Sequence, residues 1–189
     1  MELFVSFIYT LCGLSYTILS GYGKYFCFIF GLISSVLYSY LSFKNALWGN
    51  FALNFLYYIP IQIISMIKWH KNTDKKSKTV NKIRLKKKAV IMYLLSAVIL
   101  SLMLLYALFL NSDKSPILDG FITVFSIFGA YLTLKRALEQ WILWNIVNFL
   151  TILMWINLKN YFVVILWIVY FILGIIFYIK WKKELDKII

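Results

Sequence analysis

The sequence predicts an all-α membrane protein whose seven transmembrane helices form a 3+1+3 arrangement of parallel triple-helix repeats. Three observations predict this fold: 62% of the 189 residues are hydrophobic and 14% are charged, the hydrophobic residues form seven long stretches, and the basic residues collect between those stretches. Soluble domains are about 45–50% apolar and about 25% charged. Because so small a globule leaves much of its surface exposed, this excess of apolar residues indicates that lipid is the solvent.

The seven predicted spans are apolar stretches whose length in helical form matches the hydrocarbon thickness of a bilayer. In chain order they cover residues 4–22, 25–43, 47–69, 89–110, 118–135, 138–157 and 161–181. Helices are required because lipid offers no hydrogen-bond partners to the backbone. The first stretch has no basic segment before it and no clear small-residue cleavage site. We therefore interpret it as a membrane helix rather than a removable signal peptide.

The basic residues predict the orientation of these spans. With the N-terminus outside, 17 of the 20 Lys and Arg residues face the cytoplasm, and only Lys44, Lys114 and Lys159 face outward. This asymmetry satisfies the positive-inside rule and predicts a multi-pass protein of the bacterial cytoplasmic (inner) membrane with a cytoplasmic C-terminus. It also accounts for the net charge of +13, so no nucleic-acid partner is expected.

Two stretches of the sequence resemble each other and indicate an internal repeat. Lys44-Asn45 precedes a predicted helix that ends in Ile67-Lys68-Trp69. Lys159-Asn160 precedes another helix that ends in Ile179-Lys180-Trp181. Because the fourth span inverts the chain, both triplets have the same orientation. Parallel repeats of this kind are a known plan for transporters, with the substrate site at the repeat interface near the midplane.

The repeat predicts four regions along the chain. They are a first triple-helix bundle at 1–70, a basic cytoplasmic loop at 71–88, a linking helix with an external loop at 89–117, and a second bundle with a cytoplasmic tail at 118–189. The loop is rich in lysine and is not expected to fold alone. We interpret it as a topology anchor against anionic headgroups. A regulatory or partner-binding role is the alternative.

Ionisable groups are missing from the centres of the predicted spans. All seven acidic residues lie at span ends or in loops, and the only histidine, His70, follows the third span. Cys12 and Cys27 have neither disulfide nor metal-ligand spacing. A proton relay, a catalytic set of side chains or a metal centre is therefore hard to build. Neither enzymatic activity nor a cofactor is expected.

Neutral amides and aromatic residues concentrate on one face of each of two spans, because they recur at steps of three or four residues. In the sixth span this face carries Trp141, Trp144, Asn148, Thr151 and Trp155. In the third span it carries Asn54, Tyr58, Gln62, Ser65 and Trp69. Pro60 is expected to bend that helix. Aromatic faces attract cations and stack on heterocycles, whereas amides suit ribose hydroxyls or a carboxamide.

Other interpretations of these residues stay open. Trp69, Trp155 and Trp181 lie near span ends, where tryptophan is usually an interfacial anchor. Asn148 and Gln62 are able to join helices by hydrogen bonds without binding any ligand. The clustering on one face nevertheless favours a slot lined by aromatic rings and amides.

The segment from Glu139 to Asn148 resembles the W-x-x-W-x-x-x-N signature of the PnuC-type nicotinamide riboside transporter family. The segment from Asn54 to Trp69 resembles the matching helix of the family's first repeat, and the resemblance extends from about residue 25 to the tail. It implies two triple-helix bundles joined by a central helix, similar to SWEET sugar transporters. Ser65 and Met66 depart from the Gly and aromatic residue of many relatives, which leaves the ligand open.

The resemblance also implies which residues bind the substrate. Carried over by position, Trp141, Trp144 and Asn148 line the substrate site, and Gln62 opposes them from the other bundle. Tyr58, one turn before Gln62 on the same face, completes the predicted set. The partners are then a small-molecule vitamin and the lipid bilayer.

The predicted function is uptake of nicotinamide riboside or a related vitamin by facilitated diffusion. The resemblance implies that a cytoplasmic kinase traps the vitamin by phosphorylation. Thiamine, riboflavin and deoxyribonucleosides are alternative substrates within the family. A SWEET-like sugar carrier, and a membrane scaffold or complex subunit, are alternatives outside it. The sequence leaves open the exact vitamin, the gating geometry, coupling to Na⁺ and the oligomeric state, so a homo-oligomer is compatible with it.

Overall fold

The computed structural model describes residues 2–44, 51, 53–110, 116–157, 159 and 161–187, and these residues form seven helices and no strand. In chain order the helices are α1 (Glu2–Gly21), α2 (Cys27–Lys44), α3 (Leu53–Tyr58 continued by Ile59–Lys71), α4 (Lys87–Leu110), α5 (Pro116–Leu134), α6 (Gln140–Asn157) and α7 (Tyr161–Asp186). The predicted all-α fold with seven helices is confirmed. Part of the third span, at 47–50 and 52, lies outside the described residues.

The helix surfaces are apolar, as surfaces in contact with lipid require. On α4, Met92 exposes 58% of its surface, and Leu95 and Ile99 expose the same fraction. By length and composition, Val163–Asp186 in α7 is able to cross a membrane. Three shorter described segments are also apolar: Phe7–Gly21, Cys27–Tyr40 and Gly120–Leu134.

The third helix changes its pitch just before Pro60. Leu53–Tyr58 is a π-helix, and the α-helix that continues it begins at Ile59 with Pro60 in its first turn. Proline is tolerated in a first turn because its missing N–H has no helical partner there. The sequence predicts a bend at this proline. In the structure, a π-helix with a wider turn ends at Tyr58, two residues before the proline. Such π segments are frequent at functional sites.

The chain divides into two compact units. Unit 1 contains Met1–Lys82 and Leu134–Arg136, and unit 2 contains Ile83–Thr133 and Ala137–Ile189. In unit 1, α2 packs against both α1 and α3. In unit 2, α6 packs against α7, and α4, α5 and α6 share a hydrophobic cluster. Its buried members are Ala97, Val124, Phe125, Leu132, Ala137, Leu143 and Val147.

The same ring contact occurs in both units. Phe28 of α2 and Trp69 of α3 meet edge to face in unit 1, with ring centroids 5.0 Å apart. Trp141 of α6 and Trp181 of α7 meet edge to face in unit 2, at 5.7 Å. Trp69 and Trp181 are fully buried, so they join helices inside a bundle instead of facing the membrane interface. The matched contacts fit the predicted parallel repeat.

A threonine hydroxyl in α1 and another in α5 each donate to a backbone carbonyl oxygen one turn earlier in the same helix. The hydroxyl of Thr17 donates to the carbonyl oxygen of Gly13 at 3.1 Å. The hydroxyl of Thr133 donates to the carbonyl oxygen of Gly129 at 2.9 Å. Each bond spans one helical turn and satisfies a hydroxyl inside an apolar helix. The same bond occurs in α2, α4 and α6, at Ser39, Ser101 and Thr151, so it is a general feature of these helices and does not distinguish the repeat.

The first half of the central loop is ordered by contacts with unit 1. The Asp74 carboxylate accepts hydrogen bonds from the backbone N–H groups of Lys76 and Ser77, at 3.1 and 2.8 Å. Val80 is buried, and its N–H donates to the carbonyl oxygen of Gly23 at 2.9 Å. Gly23 has a φ of 70°, a left-handed conformation that glycine adopts without strain.

The second half of the loop is held by unit 2. The backbone N–H of Leu85 donates to both carboxylate oxygens of Glu139, at 3.1 and 3.2 Å. Arg84 forms an ion pair with Asp186 at the end of α7, at 2.7 Å. The loop was not expected to fold alone, and its order comes from these contacts with the helix ends.

Candidate functional site

The predicted substrate face of α6 is a buried face of unit 2. Trp141 exposes 3% of its surface, Asn148 exposes 7%, and Trp144 is half-buried. Thr151 is also buried on this face. Residues at steps of three or four share one side of a helix. The local periodicity of the sequence is therefore enough to bring these side chains together.

Trp141 is held between aromatic rings of α7. Its ring lies 5.4 Å from that of Phe177 and 5.7 Å from that of Trp181, measured between centroids. The indole Nε1–H is buried and has no hydrogen-bond partner among the described residues. A buried donor without a partner is unfavourable. That this donor contacts a ligand stays a prediction.

Trp144 is positioned by α5. Its Nε1–H donates to the hydroxyl of Thr133 at 3.1 Å, and that hydroxyl in turn donates to the carbonyl oxygen of Gly129. The indole ring lies directly against Gly129, where an added Cβ would meet the ring carbon Cε2 at 3.2 Å. The glycine thus makes room for the ring, and the threonine fixes its rotation. Sequence reasoning identified Trp144 but missed Gly129 and Thr133.

Asn148 follows Trp144 by one turn of α6. The residue is buried, with 7% of its surface exposed. An amide offers two N–H donors and one carbonyl acceptor. Polar groups near the middle of a membrane span are costly and often functional, so a ligand-binding role for Asn148 stays a prediction.

Gln62 is the corresponding amide of unit 1. Its Nε2 donates to the hydroxyl of Ser35 on α2 at 2.7 Å, while its Oε1 is buried without a partner in the described part of the chain. The Ser39 hydroxyl donates to the carbonyl oxygen of Ser35 at 2.8 Å. The amide lies against Gly31 of α2, where a Cβ would come within 2.8 Å of its Cδ. One buried acceptor therefore remains free.

The α2 partners of Gln62 were not predicted from the sequence. Gly31, Ser35 and Ser39 recur every four residues. This stripe of small residues was a usable signal, because small residues let membrane helices approach closely.

Tyr58 closes the π segment of α3. It is half-buried, and its ring centroid lies 5.6 Å from that of Tyr57. Asn54, one turn earlier, is buried. A π turn places an extra residue in the helical turn. Tyr58, Gln62 and the buried Ser65 follow one another at helical spacing, as predicted.

The structure thus places the predicted residues in two sets. Trp141, Trp144 and Asn148 belong to unit 2, and Gln62 and Tyr58 belong to unit 1. That both sets contact one ligand stays a prediction.

Neither set contains an ionisable carboxylate or imidazole. The nearest carboxylate along α6 is Glu139, in the turn before the helix, and burial raises its pKa above the ordinary value. Among the described residues, no three His, Cys, Asp or Glu side chains lie close enough to hold a metal ion. What the two sets offer chemically is stacking, cation–π attraction and neutral hydrogen bonding.

Known proteins resemble this chain along most of its length. The profile of a family described as nicotinamide mononucleotide transporter matches residues 3–183. The nicotinamide riboside transporter PnuC of Neisseria mucosa is 30% identical over 186 residues, covering 93% of this chain and 70% of that protein. The nicotinamide riboside transporter PnuC of Haemophilus influenzae is 25% identical over 180 residues, covering 94% of this chain and 78% of that protein.

A solved structure resembles the fold as well. The crystal structure of the vitamin B3 transporter PnuC superposes with a TM-score of 0.79 and 28% sequence identity. The match covers 97% of this chain and 83% of that chain.

Proposed function

The chain belongs to the nicotinamide mononucleotide transporter family, and on that premise we propose that it carries nicotinamide riboside across the cytoplasmic membrane. The observation that carries the proposal is similarity along nearly the whole chain. Two relatives that cover 93% and 94% of it are both nicotinamide riboside transporters. The chain spans 70% and 78% of their lengths, so the likeness is not confined to one helix pair.

The proposed binding mode uses the aromatic rings and the polar side-chain groups of the predicted residues in units 1 and 2. Nicotinamide riboside combines a pyridinium cation, a carboxamide and a ribose. The indole rings of Trp141 and Trp144 attract and stack on the cationic ring. The Asn148 amide pairs with the carboxamide or with ribose hydroxyls. In unit 1, the free Gln62 Oε1 accepts a hydrogen bond from the substrate, and Tyr58 supplies a further ring.

Facilitated diffusion is the proposed mechanism. The described residues of the two sets carry indole, phenol, amide and hydroxyl groups, none of which exchanges a proton readily near neutral pH. Coupling to a proton gradient therefore has no group to act through within these sets. Phosphorylation by a cytoplasmic kinase adds negative charge, which aromatic faces that attract cations do not stabilise, so the vitamin is retained inside the cell.

Uptake into liposomes tests the proposed activity. Purified protein reconstituted without any ion gradient is expected to take up radiolabelled nicotinamide riboside with saturation, and to exchange it against unlabelled vitamin from the other side. Empty liposomes are the control. Uptake that requires an imposed Na⁺ or proton gradient would contradict facilitated diffusion. Preferential uptake of thiamine, riboflavin, a deoxyribonucleoside or a sugar would contradict the proposal that nicotinamide riboside is the substrate.

Paired variants of α6 test the proposed site. Asn148→Ala is expected to weaken nicotinamide riboside binding by about 10–100-fold, because one or two buried hydrogen bonds are lost. Asn145→Ala on the same helix is the control; because the Asn145 amide packs against Gly174 of α7, this variant is expected to retain affinity. Isothermal titration calorimetry on detergent-solubilised protein measures both. Equal affinity of Asn148→Ala and the unaltered protein would remove Asn148 from the site.

A further inference from the structure

Trp144 and Trp141 differ in how much of the indole the rest of unit 2 covers. Trp141 exposes 3% of its surface, and its ring contacts those of Phe177 and Trp181. Trp144 is only half-buried. Of the two indoles in the proposed site, Trp144 therefore has the larger ring surface left to meet a flat ligand.

One face of the Trp144 ring is closed by Gly129 of α5. A Cβ added at Gly129 would meet Cε2 of Trp144 at 3.2 Å and Cδ2 at 3.3 Å. These two carbons form the bond that the two rings of the indole share. An atom that approaches in the ring plane meets other ring atoms first, so the glycine lies over a face of the ring. A stacking ligand is left only the opposite face.

Thr133 occupies the hydrogen-bonding group of Trp144. The indole Nε1–H donates to the Thr133 hydroxyl at 3.1 Å, and that hydroxyl donates its single proton to the carbonyl oxygen of Gly129 at 2.9 Å. Thr133 exposes 2% of its surface, so this chain of bonds is buried. Because an indole has no other donor and no acceptor, the remaining face of Trp144 offers a ligand its π surface and no hydrogen bond.

A ring face of this kind selects a ligand by charge. The face of an indole carries the negative part of its quadrupole and attracts cations. Nicotinamide riboside contains a pyridinium cation, whereas its reduced dihydropyridine form keeps the carboxamide and the ribose but has no charge. The two forms therefore differ at the group that stacks on the indole in the proposed binding mode.

We propose, on the premise of the proposed function, that Thr133 is a positioning residue that makes the carrier select the cationic vitamin over its reduced form. Thr133 does not touch the ligand and acts through Trp144. Without the hydroxyl, the indole has no bond that fixes its rotation about the side-chain torsions, and its free face loses the orientation that meets the pyridinium. The carboxamide and the ribose, which both forms share, still bind the amides of the site.

Binding of the two forms to detergent-solubilised protein tests the proposal, measured by isothermal titration calorimetry. The unaltered protein is expected to bind the reduced form about 5–30-fold more weakly than nicotinamide riboside. In Thr133→Val this ratio is expected to fall to about twofold or less, because the new methyl group accepts no hydrogen bond. Thr133→Ser keeps a hydroxyl and is expected to retain the ratio. Thr17→Val is the matched control in unit 1, since the Thr17 hydroxyl donates to the Gly13 carbonyl oxygen in the same way.

The indole N–H resonances of the seven tryptophans report on the Trp144 hydrogen bond without any ligand. In nuclear magnetic resonance spectra of protein with isotope-labelled tryptophan, the resonance missing from Trp144→Phe is that of Trp144. It is expected to move upfield in Thr133→Val, where the N–H loses its acceptor, and to stay in place in Thr133→Ser and Thr17→Val. An unmoved resonance in Thr133→Val would refute the positioning role.

The ratio of the two affinities separates positioning from a merely structural role. Equal losses of affinity for both forms in Thr133→Val would overturn the proposal, because they indicate general repacking of α5. Equal affinity of the unaltered protein for the two forms would overturn it too, as would the same collapse of the ratio in Thr17→Val. Absence of binding of either form to the unaltered protein would refute the proposed function itself, and this inference with it. Elution and melting temperature check the folding of each variant, and Thr133→Ala, with the same expected result, replaces Thr133→Val if that variant does not fold.

Discussion

At the scale of single residues, the informative feature of this membrane protein is its buried polar atoms that have no hydrogen-bond partner among the described residues. Gln62 Oε1 and Trp141 Nε1 are buried and have no hydrogen-bond partner among the described residues. Lipid cannot supply the missing partner, so each such atom calls for a ligand or for another protein group. Gln62 Oε1 is an acceptor in unit 1, and Trp141 Nε1 is a donor in unit 2.

Glu139 is a residue of a different kind, since it holds the loop and lies outside the predicted ligand sets. Its carboxylate accepts the Leu85 N–H with both oxygens, and burial raises its pKa above the ordinary value of 4.5. A carboxyl whose pKa is raised in the folded state binds more protons when folded than when unfolded. The free energy of unfolding is therefore expected to fall as the pH rises from 4.5 through the raised pKa.

We expect Glu139→Gln to remove this pH dependence while keeping an oxygen acceptor for Leu85. Glu139→Ala leaves that N–H without an acceptor and is expected to cost about 1–3 kcal/mol of stability. Melting temperatures between about pH 4 and pH 8 measure both effects. Asp74→Asn is the control of opposite sign, because hydrogen bonds from the Ser77 backbone and side chain lower the pKa of Asp74. The stability that the ionised Asp74 carboxylate contributes is lost as the pH falls, and Asp74→Asn is expected to remove that dependence. An unchanged pH profile in Glu139→Gln would show that another group controls it.

At the scale of helices, each unit packs the side-chain amide of one helix against a glycine of the neighbouring helix. Gln62 of α3 lies against Gly31 of α2 in unit 1, and Asn145 of α6 lies against Gly174 of α7 in unit 2. The amide is on the third helix of the first triplet but on the second helix of the other. The two repeats therefore use the same close packing with the partners exchanged, and only unit 1 presents this amide among the predicted substrate residues.

Replacing each glycine by alanine tests the roles of the two amides separately. In Gly31→Ala the new methyl group displaces the Gln62 amide from Ser35, and we expect about tenfold weaker binding of nicotinamide riboside. Gly174→Ala introduces the same methyl group against Asn145 and is expected to leave vitamin affinity unchanged. Titration calorimetry on the two variants and the unaltered protein measures the difference. Equal losses in both would indicate general helix repacking rather than a local effect on Gln62.

At the scale of the whole molecule, charge asymmetry predicts how the chain crosses the membrane. The central loop is docked rather than free: its first half contacts the turn after α1, and its second half contacts the turn before α6. Exposed lysines such as Lys75 project from it. We propose that this loop is cytoplasmic, because ten of the 20 basic residues lie between Lys68 and Lys88.

Cysteine labelling tests this orientation. In a background with Cys12 and Cys27 replaced by alanine, Lys75→Cys is expected to react with a membrane-impermeant maleimide only after cells are permeabilised. Lys159→Cys, an exposed residue between α6 and α7, is the matched control and is expected to react in intact cells. Both native cysteines are buried, so their replacement leaves the surface unchanged. The reverse pattern of labelling would invert the proposed topology.

The sequence alone predicted the helices and the residues that share each helix face, because both depend on residues that are close together in the sequence. A helix satisfies its own backbone, and lipid requires that, so each long apolar stretch became a helix. Trp141, Trp144 and Asn148 share a face because the helical period places them there. The family resemblance was recognisable for the same reason, since the motif lies within three turns of α6.

Only the tertiary structure decided which distant residue each face meets. No local pattern pairs Gln62 with Ser35, 27 positions away, or Trp144 with Thr133. The composition of the lysine-rich loop predicted that it does not fold alone, and Leu85 finds its acceptor in Glu139, 54 positions along the chain. The helical period acts over a few residues, whereas these contacts arise from the packing of whole helices. The unpaired amide oxygens of Gln62 and Asn145 therefore became visible only in three dimensions.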